Sequence, residues 1–265
     1  MKSFLQLWMP LNASAHGDNV DNLIFYVHWL MLVLFVGWGI FFVYTLFRFN
    51  RTRNPKADYH GVKNHYSSYL EFAVALIEAV LLIGFSLPFW IQEVASAAAE
   101  ETAHDIELRV IGQQFAWNIH YPGSDGIFGK TDPNLVDGTS NVLGLDRSDP
   151  SAKDDFASVG RLYVAVDKKV LIHVTSYDVI HGFFLPVMRV KQDAIPGTSI
   201  PVTFTATSTS PENPTKNDKW EIGCSQLCGN GHYKMQGELI VLAQDAYSTW
   251  VDEQVKLALE EGEAW

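Results

Sequence analysis

Leu23–Phe47, LIFYVHWLMLVLFVGWGIFFVYTLF, decides the architecture, because nothing but His28, Thr45 and glycine interrupts its apolar run. At 1.5 Å per residue a helix over it would measure roughly 37 Å, longer than the ~30 Å hydrocarbon core of a bilayer. Core helices of soluble proteins seldom run so far without polar relief, so residues 23–47 are read as a membrane span behind an exported tail, 1–22. The opening MKSFLQLWMPLNASAHG has one lysine and a thin apolar patch, which is poor material for a signal peptide. A second span is expected at 69–93, where Glu71 and Glu78 stand close to two helical turns apart and share a face. Carboxylates are costly in lipid, so that face should turn toward a partner subunit or a proton path. The loop 48–68 holds Arg48, Arg51, Arg53, Lys56 and Lys63 against Asp58, which places it in the cytoplasm. Both ends of the hairpin then lie outside.

Past residue 100 the chain reads as a soluble domain. The formal charge of −11 excludes nucleic acid as a partner, since phosphate binding needs a basic surface. An acidic face suits a basic protein partner instead. From Asp105 to Ala243 short runs rich in β-branched and aromatic residues alternate with Gly, Pro, Asp and Ser clusters: 106–111, 116–121, 161–166, 169–175, 199–206, 219–223 and 238–242. That pattern predicts an antiparallel sandwich or barrel over 105–245. Residues 123–160, with little apolar periodicity, are expected to be a long loop inserted in it. In 169–175 the row Val170, Ile172, Val174 leaves His173 on the opposite, outer face. At the end, Tyr247, Trp250, Val251, Val255 and Leu259 have helical spacing, giving an acidic helix over 246–265.

The chemistry concentrates in Cys224-Ser-Gln-Leu-Cys228-Gly-Asn-Gly-His232-Tyr-Lys-Met235. These are the chain's two cysteines, and a bridge between them would close a very short loop. Soft thiolate and thioether ligands joined by imidazole favour copper. A plain blue-copper site uses one thiolate, so two thiolates suggest a pair of metal ions sharing both sulfurs. A second imidazole must come from elsewhere, and His181, in an apolar stretch after a predicted strand, is the best candidate. Two cysteines and two histidines could also bind zinc tetrahedrally, but Met235 adds little for zinc.

The loop resembles the copper-binding signature C-S-x-x-C-G-x-x-H-x-x-M of cytochrome c oxidase subunit II. Asp178-Val-Ile-His181 and Lys191-Gln-Asp-Ala-Ile-Pro-Gly197 resemble the same family's first ligand region, and the likeness extends to the helical hairpin. It implies a two-helix transmembrane hairpin carrying an all-β, cupredoxin-like Greek-key barrel. It also implies a binuclear CuA centre of two copper ions, with Cys224 and Cys228 bridging and His181 and His232 binding one copper each. Met235 and the backbone carbonyl of Gln226 would be weak ligands. Electrons would come from a c-type cytochrome or cytochrome domain and pass to haem in subunit I, where dioxygen is reduced; other oxidase subunits would be partners. The setting implied is a bacterial inner membrane with the copper domain on the periplasmic side.

Within that resemblance the family usually has glutamate where Gln226 stands, so magnesium held by this side chain at the subunit I boundary is not expected. The aromatic stretch reads Gly112-Gln-Gln-Phe115-Ala-Trp117, making Phe115 and Trp117 the candidates for the point where electrons arrive. Glu71 matches a glutamate at the mouth of a proton pathway. The tail has no Cys-x-x-Cys-His, so no covalent haem c is expected. Two rivals remain on the sequence: a quinol-oxidase subunit II, which lacks the copper ligands, and a stand-alone copper carrier or nitrous-oxide-type reductase domain, which would not need the two spans.

Overall fold

The computed structural model describes residues 9–56, 59–61, 63–92, 103–215 and 218–262. Most of the short opening apolar patch, position 93 of the second span and the last three residues of the acidic helix lie outside these. Two compact units result, one holding the hairpin and one the domain.

In the first unit, α1 runs Gly17–Arg48 and α2 Tyr66–Gln92, both long and apolar enough to cross a membrane. Helix α1 starts six residues before the apolar run because Asp18 lies in its first turn, where the helix dipole favours an acid; Arg48 complements the last turn. In α2, Leu82–Ser86 widens into a π-turn. Pro88 explains it: the ring has no N–H to donate and would clash with the carbonyl four residues earlier, in Gly84. Glu71 and Glu78 are exposed on α2.

The second unit is a sandwich of two five-stranded sheets. The first has the order β3-β2-β1-β5-β8, and the second β4-β10-β9-β6-β7. The strands are β1 Ile106–Gln113, β2 Ala116–Tyr121, β3 Phe156–Val159, β4 Arg161–Ala165, β5 Lys169–Ser176, β6 His181–Leu185, β7 Val190–Ala194, β8 Ile200–Thr205, β9 Glu221–Cys224 and β10 Gln236–Leu242; helix α3 is Gln244–Gly262. The sheets are mixed rather than purely antiparallel, since β1 runs parallel to β5 and β4 parallel to β10. Parallel neighbours need long crossovers, and here the intervening Greek-key strands supply them.

Alternation on the strands builds the core. Leu108 and Val110 of β1, Trp117 and Ile119 of β2, and Val170, Ile172 and Val174 of β5 are fully buried, as are Phe183 and Leu239 from the other sheet. His173, on the outer face of β5, is not free in solvent; its Nε2 lies 2.7 Å from Glu107 Oε1 on the neighbouring β1. Helix α3 closes one end. Trp250 stacks on Tyr163 with centroids 4.1 Å apart and meets Tyr121 and Phe156 edge-on. Leu259 is exposed, and Ala258 occupies the buried place beside Val255.

Three further features depart from the sequence expectation. The segment 123–160 is not all loop, because Phe156–Val159 pairs with β2. Its four residues are too few to show alternation beside an Asp-rich run. Strands β6 and β7 form where the sequence pattern indicated no strand, so His181 opens one. The tail is no simple extension either: Ala13 donates its N–H to the Val187 carbonyl (2.9 Å), and Thr207 returns one to Ala13 (2.8 Å). This strap pairs with the end of β8, an edge strand, where Ala15 donates to the Thr205 carbonyl (3.0 Å) and Ser14 lies opposite Ala206. The guanidinium of Arg189 donates to the carbonyls of Pro10 (2.8 Å), Leu11 (3.3 Å) and Pro186 (2.6 Å).

Candidate metal centre

Strand β9 ends at Cys224, and β10 returns antiparallel to it with Gln236 opposite Gly223. The loop between must turn back within twelve residues, and this brings its soft side chains together. Cys224 Sγ and Cys228 Sγ are 3.8 Å apart, too far for a disulfide, and both thiols are free. Cys228 Sγ lies 3.6 Å from His232 Nδ1 and 3.8 Å from Met235 Sδ. The Cys224 thiol donates to the Gln226 carbonyl at 3.2 Å, so that carbonyl faces the sulfurs while the Gln226 residue itself is exposed.

His181 joins from β6, which pairs with β9 so that Phe183 opposes Cys224. One of its ring nitrogens and the two sulfurs all lie within 4.8 Å of one another. The structure therefore gathers His181, Cys224, Cys228, His232, Met235 and the Gln226 carbonyl in one place. Glu71 belongs to the other unit.

Residues that the sequence reading did not single out hold this arrangement. Asp178 Oδ1 takes His181 Nε2 at 2.8 Å, while Asp178 Oδ2 accepts the Gln114 N–H at 2.7 Å. Burial alone would raise the Asp178 pKa, but the hydrogen bonds from His181, Gln114 and Val179 outweigh it and hold the carboxyl below its usual range. The Gln114 amide also donates to the Cys228 carbonyl at 2.7 Å, so one residue ties the histidine turn to the cysteine loop. A Cβ at Gly112 would come within 2.8 Å of the His181 ring, so glycine there leaves the imidazole its room. The sequence held one signal: a carboxylate three residues before a candidate ligand histidine. The rest are tertiary contacts.

Of the two aromatic candidates, Phe115 keeps 38% of its surface exposed and its ring packs against Gly229 and Gly231 of the cysteine loop. Trp117 is wholly enclosed, so it cannot touch a docking partner. Its indole instead meets His181 edge-on, with ring centroids 6.0 Å apart. The period-two alternation of β2 turns this residue inward.

The donor set fits a soft metal. With Nε2 engaged by Asp178, the Nδ1 of His181 is buried and has no hydrogen-bond partner among the described residues. A buried orphan nitrogen beside two sulfurs is costly unless something binds it. Burial, reinforced by the neighbouring Cys224 thiol, pushes the Cys228 thiol up to about 11. A cation shared by the sulfurs would reverse that balance and deprotonate both.

Comparison with known proteins identifies the family of the domain. Residues 106–243, just over half of the chain, match the family model for the periplasmic domain of cytochrome c oxidase subunit II. The chain is similar to the alternative cytochrome c oxidase subunit 2 of Bradyrhizobium diazoefficiens, with 29% identity over 95% of this chain and 85% of the relative. It is 28% identical to cytochrome c oxidase subunit 2 of Cereibacter sphaeroides over 86% of this chain and 75% of the relative. Among solved structures, the periplasmic domain of cytochrome oxidase subunit II of Bradyrhizobium japonicum matches with 28% identity and a TM-score of 0.41, covering 58% of this chain and 95% of that one.

Proposed function

The chain belongs to the cytochrome c oxidase subunit II family, part of a haem–copper oxidase, and from that premise we propose that it is the subunit through which electrons reach the enzyme. The observation that carries the proposal is the pair of free thiols 3.8 Å apart beside the Nδ1 of buried His181, which has no hydrogen-bond partner among the described residues. Two copper ions held by Cys224, Cys228, His181, His232, Met235 and the Gln226 carbonyl would supply a one-electron relay between a c-type cytochrome and haem in subunit I.

The chain's own residues prepare that site. Asp178 fixes the tautomer and orientation of His181 by occupying Nε2, as an outer-shell carboxylate does for a ligating imidazole. Cys228 and Met235 are buried in the domain core, which excludes water and limits movement on electron transfer. Phe115, Val179, Ile180, Leu227 and Tyr233 are exposed close to the ligands in sequence or contact, and they form an apolar docking face on an acidic protein. A basic cytochrome, or a cytochrome domain, suits that face. The membrane assigned is the bacterial inner membrane, with the domain periplasmic and Glu71 turned to subunit I as the mouth of a proton path. The neutral amide of Gln226 carries no charge for magnesium, so none is assigned to this side chain.

Metal analysis of the purified oxidase with its parent subunit and with Cys228→Ser tests the proposal. Two coppers should be lost with the substitution, together with the mixed-valence absorption and the delocalised EPR signal. A parent subunit holding one zinc, or no copper, refutes it. Retained quinol-driven activity in the variant would place the chain with quinol oxidases.

A further inference from the structure

The segment 123–160 has a structure more exact than a surface loop needs. It carries a satellite core of Leu143, Leu145 and Ala152 on Ile111 of β1, with Val142 and Tyr177 packed against it. The Asn141 side chain closes the turn over this core, accepting the Leu145 N–H (2.9 Å) and donating to the Leu145 carbonyl (3.0 Å). At the other end the segment is rooted by buried Asp155, which accepts the Gly129 N–H at 2.8 Å and lies 2.6 Å from His120 Nε2 of β2.

Tyr177 reaches this core from the turn between β5 and β6. Its hydroxyl donates to the Leu143 carbonyl at 2.8 Å, and its own N–H donates to Gly112 at 3.0 Å. The next residue is Asp178, which holds His181. Ser176, on the other side, donates its hydroxyl to the Val179 carbonyl at 2.6 Å. The turn bearing the histidine's anchor is therefore pinned to β1 on one side and to the inserted segment on the other. Burial lifts the Tyr177 hydroxyl to about 12 against the opposing pull of Arg109, so it remains a donor at any physiological pH.

We infer that the inserted segment 123–160 is a brace for the metal centre, and that Tyr177 is the positioning residue through which it fixes the Ser176–Ile180 turn and thereby His181. The effect on the turn stands by itself, whereas the effect on copper rests on the function proposed above.

Hydrogen exchange on the full chain in detergent, stripped of metal, tests the first part. Tyr177→Phe keeps the ring and removes only the hydroxyl. Losing one partly buried hydrogen bond should speed exchange in a peptide covering 176–181 roughly three- to tenfold, with β10 unchanged. Thr139→Ala, whose hydroxyl bonds to Asp137 within the exposed part of the segment, should leave that peptide unchanged. Unaltered exchange at 176–181 in Tyr177→Phe overturns the brace, and so does an equal rise in β10, which would report general destabilisation. With copper loaded, the same variant should lose metal to a chelator several-fold faster and shift the EPR hyperfine splitting. Parent chain that binds no copper would remove the metal-site reading, while the exchange experiment would still decide the brace.

Discussion

Gly182 offers the sharpest test of how closely the cysteine loop is seated on β6. A Cβ at this position would collide with the Ser225 side-chain oxygen and stand 2.9 Å from the Gln226 nitrogen and 3.1 Å from the Ser225 carbonyl carbon. Carbon contacts are comfortable at about 3.5 Å or more, so Gly182→Ala must push the loop backbone away by roughly half an ångström. That displacement loosens the Ser225 N–H bond to the Gly182 carbonyl, now 2.9 Å. Overpacking of this kind costs about 1–3 kcal/mol. At about 2–4 °C per kcal/mol for a body of this size, the thermal midpoint should fall by about 2–12 °C. Gly223, in the strand beside it, is the matched control. Its nearest neighbour would be Phe184 Cδ1 at 3.7 Å, an ordinary contact, so Gly223→Ala should be neutral or stabilise by up to about 1 kcal/mol. Calorimetry of the full chain, with and without copper, measures both. A Gly182→Ala midpoint matching the parent, with copper retained, would refute the close seating of loop on strand.

Arg189→Lys keeps the charge but loses the planar fork that reads the strap's carbonyls, so the domain should lose about 1–2 kcal/mol and proteolysis near residues 10–15 should quicken. Equal cleavage in parent and variant would dismiss the strap as a stabilising strand. Asp178→Ala leaves the His181 Nε2 without its carboxylate and should weaken copper binding roughly 10–100-fold in chelator competition; unchanged affinity would remove the orienting role. His120 is buried, and burial holds its pKa below the ordinary 6.5 despite the Asp155 contact. Below that ordinary value the unfolded chain takes up a proton that the folded chain refuses, so stability is flat above it and falls as pH drops toward the lowered folded value. Thermal melts at about pH 7.5 and about pH 5 should show a smaller drop for His120→Gln than for the parent; identical drops would exclude this histidine as the cause.

Much of the site was legible because its donors are local. Cys224, Cys228, His232 and Met235 fall within one loop, and the chemistry of two thiols with an imidazole and a thioether needs no tertiary knowledge. His181 was picked out only because the cysteine loop calls for a second imidazole, since a lone histidine in an apolar stretch is by itself an ordinary core residue. The seven strands read from periodicity all formed within a residue or two at their ends. Strands β3, β6 and β7 were missed because they are short, or carry Gly and charge, so pairing with a neighbour rather than alternation holds them. Trp117 shows the same limit: its kinship to a surface aromatic was visible, but its enclosure against His181 was not.

Hydropathy, charge and residue chemistry act over a few neighbours, so the sequence by itself determined the two helices long and apolar enough to cross a membrane, the basic loop between them and the soft donors of the cysteine loop. Tertiary structure alone decided what depends on distant segments meeting. It placed Asp178 and Gln114 around the ligands, laid residues 13–15 along the end of β8, and set Tyr177 against Leu143. Apart from the Asp178–His181 pair, these contacts join residues dozens of positions apart through hydrogen bonds and close packing, which leave no periodic trace in the chain.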